Sequence, residues 1–240
     1  MKGLSFQNGV EYRIQIDGES WPQGAPVTVS LESKPAAPLT LVLAEGVDKK
    51  VKAKTADAFT VLETFSGDGP SLGQILTLPL NARISDKSGS LYLLYGNKDE
   101  PFEKLGQLRL NVMPHPHISD LIDVMTAHFR FALKTIVAGK KSEVEVKLDP
   151  SGSKEWASLE QLLLRAQVTD STLEIFFQFH RNEVDPAKGT LATKSVKREF
   201  TRSWNLNEIV HDFNQRLNKE VVIGAIENVI AEYQAAGWLA

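Results

Sequence analysis

Residues 107–133 read QLRLNVMPHPHISDLIDVMTAHFRFAL, and the spacing of their apolar residues changes twice. The beginning of this segment alternates apolar and polar side chains, which is typical of a strand with one buried face. Pro116–His128 instead carries apolar residues at helical spacing, on one face of a short helix. Alternation returns from Phe129 onward. The segment therefore predicts a short helix between two regions of β-sheet.

Period-two alternation extends over most of the chain on both sides of that helix. Before it we predict about eight short strands separated by turns, at residues 12–16, 27–31, 39–43, 50–56, 59–65, 74–80, 90–95 and 107–112. After it we predict about five strands, at residues 129–134, 144–148, 159–168, 173–179 and 193–200. Five strands are fewer than a sandwich normally has, so helices are expected to complete the second core.

The clearest helical pattern begins at Asn205. Asn205 and Glu208 have the spacing of a capping box, and apolar residues continue at helical spacing as far as Tyr233. Gly224 weakens the case for one continuous helix, so a pair of helices broken near Lys219 remains an alternative.

The predicted fold class is therefore mainly β, with two tandem β-sandwich domains, a short inter-domain helix and a C-terminal helical tail. We expect an N-terminal sandwich over residues 1–113 and a linker with a short helix over 114–128. A second β domain over 129–203 is followed by a helix or helix pair over 204–240 that packs on it.

Composition narrows the classes of function. The 240 residues include 27 basic and 30 acidic side chains, and the net charge of −3 argues against a nucleic-acid-binding surface. There is no cysteine, which excludes disulfides and thiolate metal sites. No apolar run is long enough to span a membrane, and the N-terminus lacks the pattern of a signal peptide. We expect a cytoplasmic protein.

Two kinds of reactive site are weak alternatives in the sequence. His115 and His117 flank Pro116, and His128 and His211 are further candidates for a metal site. A metal site needs three or four converging ligands, however, and the sequence places only two, so we interpret the Pro-His pair as a stiff linker. Paired carboxylates could serve glycoside hydrolysis. The candidate carboxylates in this chain are Glu143, Glu145 and Asp149. They alternate with valine and leucine, however, which is typical of the solvated face of a strand. We predict no catalytic, cofactor-binding or metal-binding residue.

Two features are candidates for binding a partner. The first is a polar edge strand that contains Lys50, Lys52 and Lys54. The second is Phe176, which alternation places on the outer face of its strand. An outward phenylalanine is either an anchor for a partner or a residue that the C-terminal helix covers.

Three stretches carry a resemblance to a known family. They are the strands around WPQG between Tyr12 and Leu31, the pair ILTLPL and SLYLLYG between Ile75 and Gly96, and LRLNVMPHPHISDLIDVM at 108–125. Together they resemble the arrestin-type fold, two β-sandwiches in tandem, and are most similar to the bacterial sporulation-control arrestin-like family. The third stretch is similar to that family's V-x-P-H-P segment between the two halves.

The resemblance implies a non-enzymatic scaffold or regulatory protein that binds other proteins, in sporulation control or in stress or developmental regulation. It implies no cofactor. The C-terminal helix could also join two chains as a homodimer. One alternative is a carbohydrate- or ligand-binding sandwich of the cell envelope, which predicts tryptophans clustered on one face; the four in this chain are Trp21, Trp156, Trp204 and Trp238. A second alternative is an uncharacterised hydrolase.

Overall fold

The computed structural model describes residues 1–7, 9–31, 39–67, 74–97, 99–140, 143–150, 156, 159–184 and 193–237. The chain divides into two compact units, Met1–Pro114 and His115–Ala240. The protein is mainly β, which confirms the predicted fold class.

The first unit is built from short strands in two main antiparallel sheets. Its elements are β1 (Lys2–Gln7), β2 (Val10–Ile16), β3 (Trp21–Pro22), β4 (Pro26–Leu31), β5 (Leu39–Val47), α1 (Asp48–Ala53), β6 (Phe59–Gly67), β7 (Gln74–Thr77), β8 (Gly89–Gly96), a 3-10 helical turn (Phe102–Lys104), β9 (Gly106–Arg109) and β10 (Val112–Met113). One sheet has the order β1-β2-β4-β7 and the other β6-β5-β8-β9, while β3 and β10 form a small parallel pair.

The core of this unit lies between the two main sheets. Alternate residues of β2, such as Tyr12 and Ile14, point inward and are fully buried, and so are Leu43, Leu91 and Leu93 of the facing sheet. The central strands β5 and β8 also bury their outer faces, where Val42, Ala44, Tyr92, Leu94 and Leu105 form a second, smaller cluster. Strands β5 and β8 are therefore apolar on both faces, which explains the nearly continuous apolar sequence of each.

Two sequence predictions for this unit were wrong. The segment predicted as a polar edge strand over 50–56 is the helix α1. Its lysines and Val51 alternate, but Val51 packs against the outer cluster, and Asp48 in the first turn and lysines in the last turn suit the helix dipole. The sequence also missed β1. Its inward positions are held by Gly3 and Ser5, so an apolar alternation is not visible.

The second unit contains one described sheet with helices packed on its inner face. Its elements are α2 (Pro116–Asp123) followed by a π-helical turn (Val124–His128), β11 (Ala132–Ala138), β12 (Val144–Asp149), β13 (Gln161–Val168), β14 (Thr172–Val184), β15 (Thr193–Asn205), α3 (Leu206–Ile209) and α4 (Lys219–Ala235). The strands form an antiparallel sheet in sequence order, from β11 to β15. Its five strands are those that the sequence predicts for this half.

The helix α2 starts at Pro116, as the sequence predicts. Its cap is His115, whose Nδ1 accepts the N–H of His117 at 3.2 Å, and Ser119 lies inside the helix. Pro116 occupies the first helical position, where its missing N–H costs nothing. Ile118 and Leu121 are buried.

The C-terminal region is two helices rather than one. Asn205 caps α3 as predicted, and Asn218 caps α4 by accepting the N–H of Val221. Helix α4 packs on the inner face of the sheet. There the centre of the Tyr233 ring lies 4.6 Å from the ring centre of Phe179 and 4.8 Å from that of Phe200.

Candidate functional site

The strand β1 lies at the end of its sheet, and among the described residues no strand pairs with its outer side. The carbonyl of Met1 accepts the N–H of Ile16 at 2.7 Å, which fixes the phase of the ladder between β1 and β2. In an antiparallel pair, residues alternate between bonding to the partner strand and pointing away from it. The register of β1 on β2 has no shift. Leu4 and Phe6 therefore direct their backbone N–H and C=O groups to the free edge.

A groove runs beside this edge, toward β9 of the facing sheet. It encloses about 690 Å³, and its lining includes Leu4, Ser5, Phe6, Lys54, Glu100, Glu103, Lys104 and Gln107. We call it the β1 groove. Leu4 is 55% exposed and Phe6 67% exposed, although both are large apolar residues. Large apolar side chains on an open strand edge are unusual, because they invite another chain to pair there.

The floor of the β1 groove is held by the side chain of Gln7. Its amide nitrogen donates to the carbonyls of Tyr95 and Lys104, each at 3.3 Å, and its amide oxygen accepts the N–H of Asn97 at 2.7 Å. Gln7 thereby ties β1 to Tyr95 of β8 and to the segment between β8 and β9. The edge is pre-organised, so that a bound segment would not have to order it.

The phenol ring of Tyr95 lies beneath the same end of the groove. A Cβ at Gly3 would approach the Tyr95 hydroxyl to 2.6 Å, and a Cβ at Gly106 would overlap the ring. Glycine at both positions is therefore what allows the ring to fit between β1 and β9. Burial raises the pKa of Tyr95, so its hydroxyl stays protonated at neutral pH.

The charges around the β1 groove are of both signs. Lys104 faces Glu100 with 4.0 Å between Nζ and Oε2. Lys54 ends α1 in a left-handed conformation with φ of 55°, and its backbone N–H donates to the Val51 carbonyl at 3.1 Å. Because the two lysines of the lining, Lys54 and Lys104, are balanced by Glu100 and Glu103, the groove has no net preference for a strongly charged ligand.

Of the three lysines that the sequence singled out, only Lys54 lines the β1 groove. Lys50 forms an ion pair with Asp57, which lowers the pKa of that carboxyl. Lys52 lies exposed on α1. The three residues therefore do not act as one strand, and their role in binding stays a prediction.

Phe176 lies on the outer face of its sheet, as alternation predicts. It is half-buried, because the guanidinium carbon of Arg165 lies 3.9 Å from its ring centre. The expectation that the C-terminal helix covers it was wrong, since α4 packs on the inner face through Tyr233. Phe176 and the residues that contact α4 alternate along β14 and therefore lie on opposite faces of the sheet. Phe176 is covered instead by Arg165 of the neighbouring strand β13.

The two histidines that flank Pro116 do lie together, with ring centres 4.5 Å apart. Burial, with a smaller contribution from His117, lowers the pKa of His115 to about 4, and burial also lowers that of His117. Within the described part of the chain, no group of three histidines or carboxylates comes together in a way that could hold a metal. Both rings are neutral at physiological pH.

The nearest acidic partner of this pair is Asp120. Burial alone would raise its pKa, but hydrogen bonds from Arg216 and from the N–H of Leu217 outweigh burial and lower it. The carboxylate is thus engaged in a structural ion pair. Glu143 precedes β12 and Asp149 ends it, so these two carboxylates lie at opposite ends of one strand.

The tryptophans are placed as core residues. Trp21 is 6% exposed and donates its indole N–H to the Asp17 carbonyl at 3.2 Å, while Trp156 is 1% exposed and stacks on Phe179. Trp204 is half-buried on β15, and Trp238 lies outside the described residues. Neither buried ring is available to stack on a sugar, as the carbohydrate-binding alternative requires.

The sequence matches no family model. It matches no curated protein. The structure is similar to the crystal structure of Spo0M, a sporulation control protein from Bacillus subtilis, with a TM-score of 0.57 and 14% identity over 93% of this chain and 98% of that chain. This similarity confirms the arrestin-like fold that the sequence predicted. No helix among the described residues has the length and apolar character needed to cross a membrane.

Proposed function

We propose that this protein is a non-enzymatic regulatory adaptor that binds an extended segment of another protein as an additional strand on β1. The observation that carries the proposal is the free edge at Leu4 and Phe6 beside the β1 groove. Strand addition uses the backbone for affinity and side-chain pockets for specificity. The β1 groove offers both.

The apolar side chains of β1 supply the anchor. Phe6 and Leu4 lie on the same face of the strand, and both expose more than half of their surface. A partner strand that covers them removes apolar surface from water at about 25 cal/mol per Å². Aromatic residues at the centre of such a contact commonly dominate its energy.

The similarity to a sporulation control protein favours a regulatory role over a catalytic one. Two of the described groups also support this interpretation: the buried carboxylate of Asp120 is engaged in an ion pair with Arg216, and the ring of His115 caps α2. We propose that the protein acts in the cytoplasm, as a regulator of sporulation, stress or development.

The test blocks the edge without breaking the sheet. Leu4 points its N–H away from β2, so Leu4→Pro removes an outward donor and leaves the ladder bonds in place. Leu4→Val is the matched control, because it keeps the N–H. Each full-length variant is used to capture proteins from an extract of the native host, and captured proteins are identified by mass spectrometry.

We expect a partner that wild type and Leu4→Val retain and Leu4→Pro loses by about tenfold. A peptide that spans the contact should then protect the amides of Leu4 and Phe6 from hydrogen exchange. Equal capture by all three proteins, with no protection of these amides, would show that β1 is not the binding edge.

A further inference from the structure

The last strand of the second unit is a long strand at the edge of its sheet. β15 pairs with β14 through 13 consecutive residues, from Thr193 to Asn205, and the register has no shift. Within the described residues no strand pairs with its other side. It contains no proline or bulge, two of the features by which proteins commonly block such an edge.

The phase of the ladder identifies which residues face outward. The N–H of Leu206 donates to the Ser171 carbonyl at 2.8 Å, so the residues of β15 that bond to β14 are those at even positions. The outward positions are Ser195, Lys197, Glu199, Thr201, Ser203 and Asn205. The Thr201 carbonyl accepts a hydrogen bond from the Arg202 side chain at 3.2 Å, which agrees with an outward direction.

This edge is basic. β15 has four basic side chains, Lys194, Lys197, Arg198 and Arg202, against one acidic side chain, Glu199, which gives it a net charge of +3. The whole chain, by contrast, has a net charge of −3. Two copies of β15 would therefore repel each other if they paired edge to edge.

The basic residues also have a regular spacing. The even-numbered residues of β15 lie on the inner face of the sheet. Along that face basic and apolar side chains alternate: Lys194, Val196, Arg198, Phe200, Arg202 and Trp204. A strand added beside β15 places its own side chains directly opposite these. A partner with an acidic residue at every fourth position and apolar residues between them matches the pattern.

We propose that β15 is a second docking edge, which binds an acidic extended segment of a partner protein as a sixth strand of its sheet. Backbone groups at the outward positions provide the hydrogen bonds, and Lys194, Arg198 and Lys197 provide the charge that selects the partner. The site lies in the second unit, whereas the β1 groove lies in the first, so each can be blocked without the other.

The probe is a fluorescent peptide of repeated Glu-Thr-Val-Thr, titrated with the full-length protein and followed by fluorescence anisotropy. Two control peptides replace glutamate by lysine, or one threonine of each repeat by proline. We expect binding of the acidic peptide alone, weakening severalfold when salt is raised from about 50 to about 300 mM. Equal binding of the lysine or proline peptide overturns the proposal.

Thr201→Pro and Thr201→Val test the edge itself. Because the N–H of Thr201 points outward, proline leaves the bonds to β14 intact but removes a donor to the added strand. We expect about tenfold weaker binding for Thr201→Pro, wild-type binding for Thr201→Val, and a similar loss for Lys197→Glu. Leu4→Pro should bind this peptide like wild type, which separates the result from that for β1.

Hydrogen exchange on the wild-type protein removes any dependence on the folding of a variant. The acidic peptide should protect the amides of Lys197, Glu199 and Thr201, and leave those of Arg198 and Phe200 as they were, since these already bond to β14. Unchanged exchange at all five amides overturns the proposal. So does a stable dimer of the free protein that Thr201→Pro converts to monomer, because the occupant would then be a second copy.

Discussion

Asp120 and Arg216 lie 96 residues apart in the chain, yet the Arg216 Nε donates to Asp120 Oδ2 at 2.8 Å. A second bond joins Arg216 Nη2 to Asp120 Oδ1, and the backbone N–H of Leu217 donates to Oδ2 at 3.1 Å. The Asp120 side chain is 3% exposed, whereas that of Arg216 is 49% exposed. One buried carboxylate therefore fastens the loop before α4 to the helix α2.

Replacing this carboxylate should destabilise the second unit. Asp120→Asn keeps the shape but loses the charge, and we expect a loss of about 1–3 kcal/mol in the free energy of unfolding. The loss stays moderate because Arg216 can return to water. Urea denaturation measures it. Asp123→Asn is the control: its pair with Lys219 is exposed and 3.9 Å long, so it should cost at most about 0.5 kcal/mol. Equal effects of the two variants would contradict this interpretation.

The neutral ring of His115 should make the second unit less stable in mild acid. The pKa of His115 is about 4 in the folded protein, against 6.5 for an ordinary histidine, because the ring is buried. The unfolded chain therefore binds a proton at a higher pH than the folded protein does. Its contribution to stability is complete above pH 6.5 and is lost as the pH falls from 6.5 toward 4.

His115→Asn tests this pH dependence. Asparagine does not titrate but still caps the helix, so stability at neutral pH should change little and its decline toward pH 4 should become shallower. The measurement is the urea midpoint at several pH values. Some decline will remain, since burial lowers the pKa of His117 as well. An unchanged profile would mean that His115 is not the titrating group.

Replacing Trp156 should be among the most destabilising changes in the core of the second unit. Its ring stacks on Phe179 with 5.6 Å between centres and meets Phe131 edge-on at 5.2 Å. We expect Trp156→Ala to cost about 3–5 kcal/mol, as large-to-small changes in cores do. Trp204 is half-buried, so Trp204→Ala should cost clearly less. Thermal unfolding followed by circular dichroism would distinguish them; a reversed order would show that Trp156 is not central to the core.

Two glycines should respond to alanine in opposite directions. A Cβ at Gly106 would overlap the Tyr95 ring, so Gly106→Ala should destabilise the first unit by about 1–3 kcal/mol. A Cβ at Gly224, inside α4, meets nothing within 4 Å. Gly224→Ala should stabilise the helix by about 0.5–1 kcal/mol. Calorimetry on both variants tests the pair, and a shift of the same sign in both would contradict the packing around Tyr95.

Local patterns were sufficient for most strands and for the helix after Pro114. The elements that the sequence did not predict correctly are those in which a tertiary contact determines the residue type. β1 went unseen because Gly3 and Ser5 replace the apolar residues of its inner face, and only the position of Tyr95 explains why residue 3 is a glycine. α1 looked like a strand because its lysines alternate with Val51.

In the candidate site, too, some features could be predicted from the sequence and others follow only from the structure. Lys54 and Phe176 could be singled out from spacing, but neither the β1 groove nor the cover of Phe176 by Arg165 has a signature in the sequence. The basic spacing of β15 is present in its residues. That this strand lies at the edge of its sheet follows only from the order of the strands.

Period-two alternation by itself determined that this chain is mainly β, since a strand with one buried face needs an apolar side chain at every second residue. Helical spacing of the apolar residues in turn predicted the helix over Pro116–His128, where the structure has α2 and the π-helical turn that follows it. Only the tertiary structure decided which strands are edges, which backbone groups face outward, and that Asp120 would meet Arg216. These depend on contacts between residues far apart in the chain, and the alternation of a single strand is the same whether it lies at the centre of a sheet or at its edge.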